Sequence, residues 1–227
     1  FDERANLYKQ MVRIVKDKQP QVLIAENVKG ILTANKHEAF PLILKEFEDS
    51  GYDVSYQILK AVEYGVPQKR ERVIIVGFRK DLNVKFSFPE ATVGDDQGYV
   101  PLKRVIDKKV DEKYFFSQKA VDGMMKNRES MNKGRAQNIN EPCNTVGAHL
   151  AKVSLNSTDP VLMINNRYRR FTPREVARIQ SFPEKFKLLE SESAQYRALG
   201  NAIPPVMFWY VMQAVKESLV DSKKTKK

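Results

Sequence analysis

Cysteine is nearly absent: a single residue, Cys143, in a chain of 227. One thiol cannot form an internal disulfide framework, and its scarcity suits a reducing cytoplasm. There is no C-x-x-C pair, and the two histidines, His37 and His149, stand far apart, so a zinc site is not expected. No run of about 18 apolar residues occurs, so no membrane-spanning helix is expected. No secretory signal opens the sequence, and no internal repeat is visible. The chain starts with Phe1 instead of Met, which reads as part of a longer product or a trimmed one.

What is abundant is positive charge. Lys and Arg number 39 against 28 Asp and Glu, a formal charge of +11. Part of the excess sits in the terminal "DSKKTKK", and the rest clusters in Gln68–Arg72, Lys126–Arg135 and Arg167–Arg178. Without a membrane signature, the partner such a balance favours is a nucleic acid. An apolar fraction of 42% supports a true core.

Periodicity outlines the first part of the chain. Tyr8, Met11, Val12 and Val15 share a helical face that must end before Pro20. Val22 to Ala25 reads as a buried strand. Phe40, Ile43, Leu44 and Phe47 predict a second helix closed by Gly51. "YDVSYQIL" and "RVIIVGF" read as two further strands, pairing around "EYGVPQKRE", and the whole as an α/β core. From about Phe88 to Asp159 the apolar clusters thin, which predicts a smaller, irregular, mostly β domain. Thr172, Pro173 and Glu175 then form a capping box that starts a short helix. Pro204-Pro205 start a last helix, with Met207, Tyr210, Val211, Ala214 and Ser218 on one face.

Four stretches carry possible chemistry. In "PQVLIAENVKG" a buried strand runs straight into Glu26 and Asn27, although Glu is a poor turn former and costly to bury unpaired. Gln68, Arg70 and Arg72 alternate, so an extended segment points them to one side, a face suited to an anion or a base edge. Arg169, Arg170, Arg174 and Arg178 surround a helix start. Gly200 and Asn201 permit a tight turn with exposed backbone. Taken singly, each has a plain structural alternative: a solvated strand end, a charged sheet edge, a basic helix face, a helix-entry turn.

Together and in this order they resemble the DNA (cytosine-5) methyltransferases, especially the bacterial modification enzymes, over nearly the whole chain. Glu26-Asn27-Val28 looks like the family's base-binding triplet, and Gln68-x-Arg70-x-Arg72 like its next motif. "RRFTPREVARIQSFP" looks like the motif that supports the target recognition domain. Thr145-Val146 resembles the pair that closes the recognition region. "QYRALGNAIPPVMFWYV" looks like the last motif, whose turn, Asn201 and Ala202 here, helps bind S-adenosylmethionine.

The resemblance implies a Rossmann-like core carrying a target recognition domain, and transfer of a methyl group to C5 of a flipped cytosine in a specific duplex sequence. Such an enzyme would serve a restriction-modification system, in the cytoplasm and at the nucleoid. It implies that Glu26 and Arg72 hold the base, with burial raising the Glu26 pKa, and that Arg70 fixes the strand or the catalytic loop. Arg135, Thr145, Arg169 and Arg174 are expected to meet DNA, and no metal is expected.

The family's nucleophile is a Cys after a Pro, upstream of the Glu-Asn-Val triplet, with a Gly-rich cofactor turn further upstream still. Neither is found here. Pro142-Cys143 lies inside the recognition region, with no basic or His neighbour to activate it. The expectation is therefore a C-terminal part: residues 1–95 from the catalytic domain, 96–190 the recognition domain and hinge, and 191–227 a helix returning to the catalytic domain. The N-terminal half would be a partner, as a separate chain or a missing segment. A non-catalytic DNA-binding subunit of the same ancestry and a general basic nucleic-acid module stay open as alternatives.

Overall fold

The computed structural model describes residues 7–93, 98–126, 136–152 and 159–225. The chain forms two compact units. One comprises residues up to 60, 71–90 and 211 onward, the other residues 61–70 and 91–210.

The first unit is built on a three-stranded sheet, β1 (Val22–Val28), β2 (Tyr52–Lys60) and β4 (Glu71–Arg79), in the order β1-β4-β2. Strand β4 runs antiparallel to both neighbours. It takes the centre because Val73 to Val76 are apolar on both faces and fully enclosed. Helices α1 (Leu7–Lys18) and α2 (Ala39–Asp49) cover the sheet. Their stripes, Val12 and Val15, then Phe40, Ile43 and Phe47, join Leu23, Tyr52, Val73 and Ile75 in one core. Both helices lie where the i, i+3, i+4 spacing puts them. Gly51 follows α2 with φ +96°, a left-handed conformation that closes the helix at little steric cost to glycine.

The second unit contains short paired segments and helices. Strand β3 (Gln68–Lys69) pairs in parallel with β5 (Cys143–Asn144). A hairpin joins β6 (Leu162–Ile164) to β7 (Arg167–Arg169) through Asn165 and Asn166, with φ 49° and 61°. Two consecutive positive φ values are what a two-residue hairpin turn demands, and Asn tolerates them better than most side chains. The helices are α3 (Gln118–Lys126), α4 (Pro173–Ile179) and α5 (Glu192–Asn201). Helix α6 (Pro205–Thr225) starts in this unit and ends in the first. The core gathers Leu102, Cys143, Val146, Leu150, Leu162, Phe171, Val176, Ile179 and Tyr196.

The capping box of α4 is formed in full: Thr172 accepts from the Glu175 N–H, and Glu175 accepts from the Thr172 N–H. Among the described residues no helix is long and apolar enough to cross a membrane.

Candidate functional site

In the first unit the decisive feature is how far β1 extends. The apolar run predicts its end at Ala25, yet the strand continues to Val28, because β4 pairs with it down to Arg72 opposite Val28. Glu26 therefore lies within the strand, opposite Ile74. Arg72 is two residues from Ile74, on the same face and diagonal to Glu26. The two side chains meet, Arg72 Nε to Glu26 Oε1 at 2.7 Å. The contact is close but bent, so Nε–H makes no aligned hydrogen bond. Nη1 donates to the Glu71 carbonyl at 2.7 Å.

Side-chain exposure is 12% for Arg72 and 24% for Glu26, so the pair is sheltered but open on one side. This corrects the full burial implied for Glu26. Burial holds the Arg72 guanidinium below its usual pKa, while Glu26 opposes that shift. Asn27 points away: it is exposed, and its Oδ1 accepts from the Val28 N–H at 2.9 Å. A Lys29–Glu71 ion pair at 2.9 Å flanks the strand ends. The arrangement sets a carboxylate acceptor beside a guanidinium donor, which can grip the edge of a planar group carrying both functions.

In the second unit, Gln68 and Arg70 are buried instead of facing a ligand. Gln68 bonds the Gln180 amide and the Val146 N–H. Arg70 donates to the carbonyls of Val146 and Gly200 at 3.2 and 3.1 Å. The expected common face of Gln68, Arg70 and Arg72 as a ligand surface is thus corrected. Gln68 and Arg70 are structural donors of the second unit, whereas Arg72 belongs to the first.

The basic cluster is corrected as well. Arg169 is 1% exposed and makes a two-pronged pair with Glu175, at 2.8 and 2.7 Å. A guanidinium so enclosed cannot reach a phosphate. Arg170 and Arg178 also find carboxylates, Glu192 and the pair Asp107 and Glu184. Arg174 is half-buried and holds the Glu184 and Phe186 carbonyls, both at 3.0 Å. Thr145 is exposed, its hydroxyl donating to the Lys69 carbonyl at 2.9 Å. Arg135 lies outside the described residues.

Gly200 is not in an exposed turn. It is the penultimate residue of α5 and buried, and a Cβ there would come within 2.3 Å of the Gly147 backbone. Glycine is needed for this close approach, not for a special φ. Asn201 ends α5 and is exposed; Ala202 is half-buried.

Cys143 is completely buried on β5, and desolvation pushes its thiol far above the usual range. A neutral, enclosed thiol is neither a nucleophile nor a ligand. Its folded pKa is raised, so this group's contribution to stability is present below the ordinary thiol range and lost as pH rises above it. The native chain is expected to resist iodoacetamide at neutral pH, with labelling that tracks unfolding in urea. Fast labelling of the native chain would show an accessible thiol.

The sequence places Arg178 and Gln180 in one motif but does not reveal their partners or the second duty of Glu175; Asp107 lies 71 residues from Arg178.

Comparison with known proteins decides the family. The family model for C-5 cytosine-specific DNA methylase matches residues 1–217. The chain belongs to that family. It is 35% identical to the type II methyltransferase M.FnuDI of Fusobacterium nucleatum, covering 100% of this chain and 73% of that protein. Identity to M.NgoPII of Neisseria gonorrhoeae is also 35%, over 96% of this chain and 71% of that protein. The fold matches the S. pombe Dnmt2 methyltransferase with a TM-score of 0.71 at 18% identity, covering 88% of this chain and 66% of that one. It matches Entamoeba histolytica EhMeth equally, 0.71 at 16%, over 93% and 69%. This is therefore a DNA cytosine-5 methyltransferase chain with a mixed α/β methyltransferase fold.

Proposed function

We propose that this methylase acts on a cytosine turned out of a specific duplex sequence, and that Glu26 and Arg72 hold that base. The observation that carries the reading is their diagonal pairing at 2.7 Å across β1 and β4, in a sheltered but open position. A base inside a duplex cannot reach such a pair, so it must be flipped. Cytosine offers an N4 donor and N3 and O2 acceptors. The Glu26 carboxylate accepts from N4 and, once protonated, donates to N3. Arg72 donates to O2 from the guanidinium that now faces Glu26. Both interactions strengthen as negative charge spreads onto N3 and O2 when a nucleophile adds to C6. Cys143 is completely buried and is not assigned as that nucleophile. The second unit reads the DNA, with Thr145 and Arg174 at its surface.

S-adenosylmethionine, when bound, supplies the methyl group as an electrophile. Asn201 and Ala202 fit it. The exposed Asn201 amide offers a donor and an acceptor, and it sits at the C-terminal end of α5, whose partial negative charge suits a cationic ligand.

The test uses a duplex whose target cytosine is left unpaired opposite an abasic site. The complete enzyme should bind it at least roughly tenfold more tightly than the paired duplex, since unpairing costs a few kcal/mol. Arg72→Ala should lose most of that preference. Full retention would mean that Arg72 does not touch the base.

A further inference from the structure

Gln180 directly follows α4 and is fully buried. A buried amide is costly unless both its ends are bonded. Here they are. Nε2 donates to the Leu199 carbonyl at 2.5 Å and lies 3.4 Å from that of Ala202. Oε1 accepts from Gln68 Nε2 at 2.9 Å. Gln68 is equally enclosed; its Oε1 accepts from the Val146 N–H at 2.9 Å.

Donation thus runs one way, from the Val146 N–H through two amides to the carbonyls on either side of Gly200 and Asn201. The order cannot be reversed at Gln180, since a flipped amide would set its oxygen against two carbonyl oxygens. Arg70 closes a second path, from the Val146 carbonyl to the Gly200 carbonyl. The Val146 peptide is therefore gripped at both its N–H and its C=O, and each grip ends on the last turn of α5. At Gly200 the two segments touch backbone to backbone, with no space for a methyl group.

We propose that Gln180 is a positioning residue for the cofactor turn Asn201-Ala202. Through Gln68 it couples that turn to Thr145, Val146 and Gly147 at the end of the recognition region. This rests on the reading of Asn201 and Ala202 as part of the S-adenosylmethionine site. A displacement of the Val146 peptide is passed to the carbonyls that frame the turn through the two amides, whose bonds at 2.9 Å are much closer than the 3.5 Å approach of Gln68 Nε2 to the Ile179 carbonyl.

The test is a double-mutant cycle in the complete enzyme, read by calorimetric Kd for S-adenosylhomocysteine and by KM for S-adenosylmethionine. Gln180→Met keeps length and volume but removes both polar ends. Kd and KM should rise roughly tenfold, as for one buried hydrogen bond broken with its partner left unsatisfied, while kcat changes far less. Gln68→Met should do the same. The double variant should be no more than about twofold worse than either, because both break one relay. An unchanged Kd in Gln180→Met, or losses that multiply to roughly a hundredfold, overturns the coupling.

Thermal melts check folding. If Gln180→Met does not fold, Gln180→Asn, too short to reach both partners, must show the loss in Kd, and a parental Kd overturns the proposal. Asn201→Ala separates the two readings. If it leaves Kd unchanged, the cofactor turn is misassigned. If it weakens binding while Gln180→Met does not, the relay alone fails.

Discussion

Glu26→Gln is expected to bind DNA almost as the parent does and to slow methyl transfer by about 10²- to 10⁴-fold. Glutamine keeps the shape and can still accept from the N4 amino group of the base. It cannot give a proton to N3, so the loss falls on the chemical step, roughly 3 to 5 kcal/mol of barrier. The substitution also removes the counter-charge of Arg72. That second effect is smaller. The Glu26 side chain is 24% exposed, so water reaches the pair, and Arg72 retains its bond to the Glu71 carbonyl. Glu26→Ala should be slower still, since the N4 donor then loses its acceptor. Single-turnover methylation by the complete enzyme, at saturating DNA and S-adenosylmethionine, measures the step directly. A Glu26→Gln rate within about threefold of the parent, far short of general acid assistance, would reduce the Glu26–Arg72 pair to a structural contact.

The sequence made the local elements of the fold legible, because their causes are local. The stripes of α1 and α2, the apolar run of β4 and the Thr172–Glu175 capping box each sit within a dozen residues. The four ordered motifs carried the family. What stayed hidden depended on partners distant in the chain. Strand β1 passes Ala25 because β4 lies beside it as far as Arg72. Arg178 finds Asp107 across 71 residues of chain. Gly200 is glycine because Gly147 backs onto it, whereas the sequence suggested a turn. The alternation of Gln68, Arg70 and Arg72 drew attention to three polar residues in one stretch. It could not show that the first two turn inward to buried carbonyls and amides while the third meets a carboxylate of its own sheet. Net charge misled in the same way. A run rich in arginine reads as a polyanion surface until its acidic partners, Glu175, Glu184 and Glu192, are placed.

Arg169→Ala is therefore expected to act on stability, and on DNA binding only through it. Glu175 is fully enclosed and accepts four hydrogen bonds, two from Arg169, one from the Thr172 N–H and one from the Asp107 N–H. The guanidinium neutralises a carboxylate that joins the N-terminus of α4, strand β7 and the segment at Asp107. Removing it leaves a buried, uncompensated negative charge, and breaking such a pair from one side costs roughly 3 to 5 kcal/mol. In a chain of this size that lowers the melting temperature by roughly 6 to 20 °C. Arg169→Lys should be intermediate, keeping the charge but losing the fork that meets both carboxylate oxygens. Replacing both partners by apolar residues should recover only part of the loss, since the two backbone donors at Thr172 and Asp107 would still lack an acceptor. Calorimetric melts of the parent, both single variants and the double variant decide the matter, alongside the salt dependence of DNA binding. A melting temperature within about 2 °C of the parent, with a salt slope reduced by roughly 1, would return Arg169 to the DNA surface as a phosphate contact.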